Sequence, residues 1–440
     1  MSPIRIFLLS ALIFAFFGIN NAEADESNLT FVENYEIDRP FGVAISGNYA
    51  YVASGGEGLI IVNIEDPTNP TLAGSNDTDG WVTEVAISGN YAYLAAGSGG
   101  LIVLNIEDPT NPTVVASYDY WPDGSASGIT ILGNYAYIGA QNEGLVILNI
   151  EDPADCTFVG SYNTTGIAKD IAISGNYAYI ADNGEGEGLV IVNIEDPTNP
   201  TFVGNYNKTS WNYKIDAAVD VSISGNYAFV AADTYLFVLN ITNPTNSTFA
   251  GKYFTGGRAL GITLSENYAY LADYGNGVVV INIEDLSNVA SFIGVMNYTY
   301  NDKQGGSHVG YTFAGNGTFY CWNSLSDEFC DAYAHSVAIS GDYAYVAVEP
   351  SGSYDKGGLV ILDRTPFIIV EEEENVDNSN SDTTQDSTDT TDDTKDNEGT
   401  DNSNDGGPEE ESIAETTEVP SITLVTSLIS IGLLAIFRRK

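Results

Sequence analysis

Short runs of apolar and β-branched residues recur from residue 25 to residue 370, and none has the 3.6-residue period of an amphipathic helix. The fourth copy shows the unit: Asp170-Ile171-Ala172-Ile173, then Tyr177–Ala181, Leu189–Ile194 and Thr201–Tyr206. Val, Ile, Tyr, Phe and Thr dominate these runs, while Ser-Gly-Asn and Asp-Pro-Thr-Asn-Pro fall between them, so each copy predicts four short strands. Many runs are apolar throughout instead of alternating, as expected of sheets covered on both faces.

The phrase Ser-Gly-Asn-Tyr-Ala-Tyr recurs, with substitutions, with its first tyrosine at Tyr49, Tyr91, Tyr135, Tyr177, Tyr227, Tyr268 and Tyr343. Spacings of 42, 44, 42, 50, 41 and 75 give seven copies, the last preceded by an insertion at about 300–334. Seven four-stranded units of this length predict an all-β fold, a seven-bladed β-propeller in which each sheet is covered by its neighbours. The ends support closure. Thr30–Tyr35 matches the fourth-strand phrase but precedes the first copy, whereas the seventh copy has three strands, at Val337–Ile339, Tyr343–Ala347 and Leu359–Asp363. The N-terminal strand is therefore expected to complete the last blade, with Phe367–Val370 as the competing candidate.

A second phrase follows each tyrosine unit, as in Gly58-Leu59-Ile60-Ile61-Val62-Asn63-Ile64-Glu65-Asp66-Pro67. It resembles the LVIVD repeat, with Asn63, Asn105, Asn149 and Asn193 where the family has Asp. The resemblance covers nearly all of 25–364 and implies a propeller of a secreted or surface protein. It implies no shared catalytic motif.

The two ends read as addresses. Residues 1–24 run from Arg5 through an apolar stretch to Ala22-Glu23-Ala24, the order of a secretory signal peptide. Residues 419–440 hold a short apolar span closed by Arg438-Arg439-Lys440. Counted from Val419 to Phe437 the span reaches about 28 Å as a helix, just adequate to cross a membrane. The basic cluster would stay inside and the body outside. This tail also resembles the C-terminal sorting signals of archaeosortase and exosortase substrates, which implies cleavage and transfer to another anchor. Between body and tail, residues 371–418 carry 19 acidic residues and one Lys among Ser, Thr, Asn and Gly. With almost nothing apolar to offset ordering entropy, they read as a disordered acidic stalk. The expected location is extracellular, at the cell surface, with the C-terminus anchored in the membrane.

A net charge of −46 excludes nucleic acid as a partner. No nucleophile elbow, zinc-protease motif or phosphate loop occurs, so no catalytic residues are assigned and the chain is expected not to be an enzyme. Glu84, Asp170 and Asp220 open first strands and could face a central channel, as a propeller hydrolase would require, but acids at strand starts ordinarily cap turns. No metal ligands or cofactor are assigned. Calcium on acidic loops, such as Asp182, Glu185 and Glu187, is the one cofactor left open.

In a propeller, first-to-second and third-to-fourth turns share one rim, and here these are monotonous. The other two connections share the opposite rim and vary. All four tryptophans and both histidines fall in fourth-to-first connections on this reading. The candidate ligand-binding residues of that irregular face are Trp81, Trp121, Trp211, Trp322, Tyr120, Tyr213, Asp123 and Asp216. Aromatic faces beside carboxylates suit a sugar, and the same residues would serve a protein hot spot or fill gaps between blades. The expected function is recognition or adhesion, with a surface polysaccharide or another envelope protein as partner. A structural role in a surface layer or cell envelope is the main alternative and a propeller hydrolase the second. Cys321 and Cys330 are expected to form a local disulfide in an exported chain, leaving Cys156 as a free thiol or an intermolecular link. Sequons at Asn28, Asn76, Asn163, Asn207, Asn240, Asn246, Asn297 and Asn316 predict a glycosylated exterior.

Overall fold

In the computed structural model, residues 29–119, 124–184, 188–206, 215, 217–284, 292–295, 310–313, 319–323, 328–350 and 357–365 are described. Of residues 292–295, 310–313, 319–323, 328–332 and 350 the backbone alone is described. All belong to the first of the two units, 1–372 and 373–440, into which the chain divides.

Seven antiparallel sheets form from strands in simple chain order, as in blade one with Gly42–Ser46, Tyr49–Ala53, Leu59–Asn63 and Thr71–Asn76. The first strand of each blade touches the first strands of both neighbours, which closes a ring around an axis. The N-terminal strand Thr30–Ile37 pairs with Gly357–Asp363, from Thr30↔Asp363 to Ile37↔Gly357, and so completes blade seven. Arg364, just after that blade, is buried and ties it to blade six: its Nε donates to the Gly341 carbonyl at 2.8 Å and its Nη1 to Tyr270 Oη at 3.1 Å.

The core lies between blades. One cluster joins Tyr51, Leu59 and Ile61 of blade one to Val85, Leu94 and Leu104 of blade two, and comparable clusters fill the other interfaces. This explains the tyrosine phrase. Its alanine, Ala50, Ala92, Ala136 and so on, is 0 % exposed because a neighbouring sheet packs directly upon it. The second aromatic, as at Tyr51, Tyr93 and Tyr137, is buried as well. Each fully buried Leu or Ile contributes about 1.5–3 kcal/mol.

Fourth strands carry a repeated bulge, as between Leu72 and Gly74 opposite Ile61 and Val62. The glycine receives the next blade's Asp-Pro turn: a Cβ on Gly74 would lie 2.3 Å from the Pro109 carbonyl oxygen and 3.1 Å from Pro112 Cδ. Blade two departs from this with Ala116, and the turn facing it carries Cys156 where blades one, two and four have Pro70, Pro112 and Pro200; Ala116 and Cys156 pack in one cluster. Cys156 is thus a free, half-buried packing residue, and burial pushes its thiol up to about 11.

The insertion adds two strands, Gly310–Phe313 and Phe319–Asn323, to blade seven. They continue its sheet beyond the first strand, Glu328–Ser340, on the edge that faces the axis in the other blades. One sequence expectation needs correction here. His335 lies within that long first strand and not in a connection, whereas Trp322 stands on the added hairpin, inside the connection between the fourth strand of blade six and the first strand of blade seven. The hairpin register sets Cys321 opposite Cys330. Phe367–Val370, Asn28, Asn207, Asn297, Asn316, the signal peptide, stalk and tail lie outside the described residues. Among the described residues no helix is long and apolar enough to cross a membrane.

Candidate functional site

The two rims differ in how their polar groups are used. On the uniform rim the third strand ends in an Asx turn: Asn63 Oδ1 accepts from Glu65 N at 2.9 Å, and Asn105, Asn149, Asn193, Asn240, Asn282 and Asp363 do the same. Next, Asp66 Oδ1 accepts from Thr68 N and Thr68 Oγ1, which lowers its pKa, and Asp108 and Asp196 repeat the arrangement. These side chains are spent on their own backbone. Two sequons acquire structural duties as well: Asn240 makes its Asx turn, and Asn76 Nδ2 donates to the Pro112 carbonyl at 2.9 Å. Asn163 and Asn246 are exposed.

The opposite rim opens on the axial channel. Seven positions before the first tyrosine of each phrase stands a ring of one residue per blade: Gly42, Glu84, Gly128, Asp170, Asp220, Gly261 and Ser336. A cavity of about 350 Å³ runs along it, lined by first strands of all seven blades. The three acids do not cap turns as their positions suggest. They occupy the channel, and two of them bond a free strand edge. Asp220 Oδ2 accepts from Ile262 N at 2.7 Å and Asp170 Oδ2 from Val221 N at 3.3 Å, each N–H belonging to the next blade. Glycine at neighbouring positions makes the room: a Cβ on Gly42 would lie 2.9 Å from Glu84 Oε1, and one on Gly128 would lie 2.6 Å from Asp170 Oδ1.

Close quarters change the acids. Burial, then the charge of Asp170, pushes Glu84 up to about 8. Asp220 is raised well above its ordinary value by burial and then by Asp170, and Asp170 is raised by burial against the pull of its hydrogen bonds. Among the described residues none of the three has a cationic partner.

One residue earlier, a second ring forms the mouth on the irregular side: Phe41, Thr83, Ser127, Lys169, Val219, Leu260 and His335 surround about 160 Å³ with the first ring beneath. Aromatic side chains run outward from it. Phe41 lies 5.6 Å from Trp81 and 5.0 Å, edge-on, from His335. His335 Nε2 lies 3.1 Å from Glu349 Oε2, and Tyr274 stacks on Tyr333 at 3.8 Å. Tyr274 holds φ 50° where blades one and two have Gly55 and Gly97 at the corresponding turn, a conformation costing on the order of 1–2 kcal/mol outside glycine.

Of the sequence-assigned residues, Trp81 is at this mouth, 40 % exposed, between Gly55 and the Arg39 guanidinium, which lies 5.5 Å from its ring centroid. Tyr120, Trp121, Asp123, Trp211, Tyr213, Asp216, Glu185 and Glu187 lie outside the described residues, as does the side chain of Trp322. Asp182 is fully buried. Sequence reasoning put His335 on the irregular face but missed the mouth ring as such, Lys169 included; aligning the copies on their tyrosines and reading the column eight before would have found it.

The LVIVD repeat matches at residues 41–78, 79–120, 123–164, 165–208, 217–255, 256–300 and 331–363, well over half of the chain. Among curated proteins none matches. Among solved structures the chain is similar to the β-propeller domain of Cps50 (Swd1) from Myceliophteria thermophila, at 10 % identity over 76 % of this chain and 99 % of that one, TM-score 0.52. It is also similar to the computationally designed Ika8 protein, at 12 % identity over 77 % and 99 %, TM-score 0.49. At 10 % identity the likeness to the Cps50 (Swd1) domain shows the fold alone.

Proposed function

The chain belongs to the LVIVD-repeat family, and on that footing we propose that it is a cell-surface recognition or adhesion module whose partner, a glycan or an envelope protein, binds at the channel mouth. The signal peptide, acidic stalk and C-terminal span would carry the ring out from the membrane with the C-terminus held there. The observation that carries the reading is the contrast between rims. One has its polar side chains engaged in its own turns, whereas the other gathers Trp81, Phe41, Tyr274 and His335 about an opening that Lys169 also lines. Aromatic surface with a few placed polar groups is what a small recognition site requires.

The test is a tryptophan-fluorescence titration of the full chain with isolated surface polysaccharides and envelope proteins, repeated with chelator and with Trp81→Ala. A saturable change that Trp81→Ala abolishes while melting normally supports the reading. A variant that melts lower and binds unchanged would reduce Trp81 to packing and refute the mouth as the site.

A further inference from the structure

On the irregular side, the turn between a blade's second and third strands makes a backbone bridge to the next blade. The bridges among the described residues join Gly55 to Val82, Gly97 to Ala126, Gln141 to Ala168 and Tyr274 to Ala334. Just ahead of each bridge partner stand Trp81, Ser125, Ile167 and Tyr333 in turn. Of these bridges, only that between blades six and seven brings two tyrosines together. Their rings stack, with centroids 3.8 Å apart and planes 2° from parallel. Ala334 N donates to the Tyr274 carbonyl at 3.0 Å, so the backbone holds the pair in register. Other tyrosine pairs are placed differently: Tyr49 with Tyr51 and Tyr268 with Tyr270 lie 6.5 Å apart, tilted by 59° and 62°. In both of those the second ring is buried, whereas Tyr274 and Tyr333 are each partly exposed and open to a reagent in solution.

The seam that the pair spans is the one with the longest connection. Residues 296–327 separate the four-residue strand Phe292–Val295 of blade six from the first strand of blade seven, whereas blade one passes into blade two over residues 77–83. A longer connection costs more chain entropy to close, so it ties its blades less closely than a short one. Arg364 bonds across this seam toward the uniform rim, through Tyr270 Oη. The tyrosine pair is the corresponding contact on the irregular side. Tyr274 keeps its left-handed backbone there, where blades one and two have glycine. A residue held in such a conformation points to a use for the contact it makes.

We propose that Tyr274 and Tyr333 form a modification site, at which a peroxidase-class one-electron oxidant couples their rings into a dityrosine that staples blade six to blade seven. Each phenol gives one electron to the oxidant and its hydroxyl proton to water. The two phenoxyl radicals then join through ring carbons ortho to their oxygens. Each of those carbons releases its hydrogen as a proton while its oxygen regains one, and both rings become aromatic again. One carbon–carbon bond replaces two carbon–hydrogen bonds, and the chain is lighter by two hydrogens. The two electrons and two protons reduce one hydrogen peroxide to two waters. Holding the rings face to face favours coupling within one chain over coupling between chains. Thiols, which open a disulfide by exchange, have no such route to this bond.

The experiment treats the full chain, as wild type, Tyr274→Phe and Tyr333→Phe, with hydrogen peroxide and a haem peroxidase in dilute solution. Dityrosine fluorescence, intact mass, peptide mapping and thermal melts are read on the monomer. The expected product is a monomer lighter by two hydrogens, with one cross-linked peptide joining Tyr274 to Tyr333 and a higher melting temperature than the untreated protein. Each variant should lose that peptide and the fluorescence that goes with it. Should a variant fail to fold, the peptide map of the wild type still decides. A wild-type monomer that does not couple, or couples through other tyrosines, overturns the proposal. Dityrosine undiminished in both variants, or found only between chains, overturns it as well.

Discussion

Replacing Glu84 by glutamine should make the ring more stable in alkaline solution and alter its pH dependence. Folding raises the carboxyl from 4.5 to about 8, through burial first and Asp170 second. The folded protein therefore keeps a proton that the unfolded chain releases, and stability falls as pH rises from the unfolded value toward the folded one. Each pH unit in that window removes about 1.4 kcal/mol, so the whole shift corresponds to an upper bound of about 5 kcal/mol at pH 8 and above. Asp170 and Asp220 are raised as well and act in the same direction. Glutamine keeps the shape and an oxygen for the Val85 N–H, which Glu84 Oε1 holds at 3.1 Å, without the titration. Denaturant unfolding at pH 5, 7 and 9 reads the effect. Wild type should lose stability steadily across the series, while Glu84→Gln matches it near pH 5 and exceeds it by several kcal/mol at pH 9. Parallel curves for the two proteins would refute the channel placement of this carboxyl.

Gly128→Ala should destabilise by about 1–3 kcal/mol, since the new methyl would lie 2.6 Å from both Asp170 Oδ1 and the Lys169 carbonyl oxygen; Gly89→Ala, at an open turn, should lose only its backbone preference, and thermal melts compare the two. Arg364→Ala should lower stability by about 2–4 kcal/mol, because it strips Gly341 O and Tyr270 Oη of their donor between blades six and seven. The Cys156 thiol, pushed up to about 11, should resist alkylation at pH 8 in the native protein and react fully once unfolded. Rapid native labelling, or a disulfide dimer through Cys156, would contradict its packing against Ala116.

The sequence repeats made the ring legible because each carries its own physics. The alanine of Tyr-Ala-Tyr marks a fully buried contact between sheets, and Asn63 and its counterparts mark the Asx turn. The N-terminal closing strand was readable because Thr30–Tyr35 repeats a fourth strand out of place, and it does pair with Gly357–Asp363. The channel was only partly legible. A single acid at a strand start looks like a turn cap, and its inward placement depends on glycine in the neighbouring blade, which no local window reports. Cys156 is free, as one of its two sequence readings had it, but its packing role shows only when Ala116 is seen to stand where other fourth strands have glycine.

The central claim is that recognition occurs at the irregular mouth, and hydrogen-exchange mass spectrometry of the full chain with and without a bound envelope polysaccharide tests it most directly. The account predicts new protection confined to the segments around Arg39–Phe41, Trp81–Thr83, Lys169 and Arg258–Leu260. Protection centred on the Asp-Pro-Thr turns after Asp66, Asp108 and Asp196, with the mouth unchanged, would contradict it.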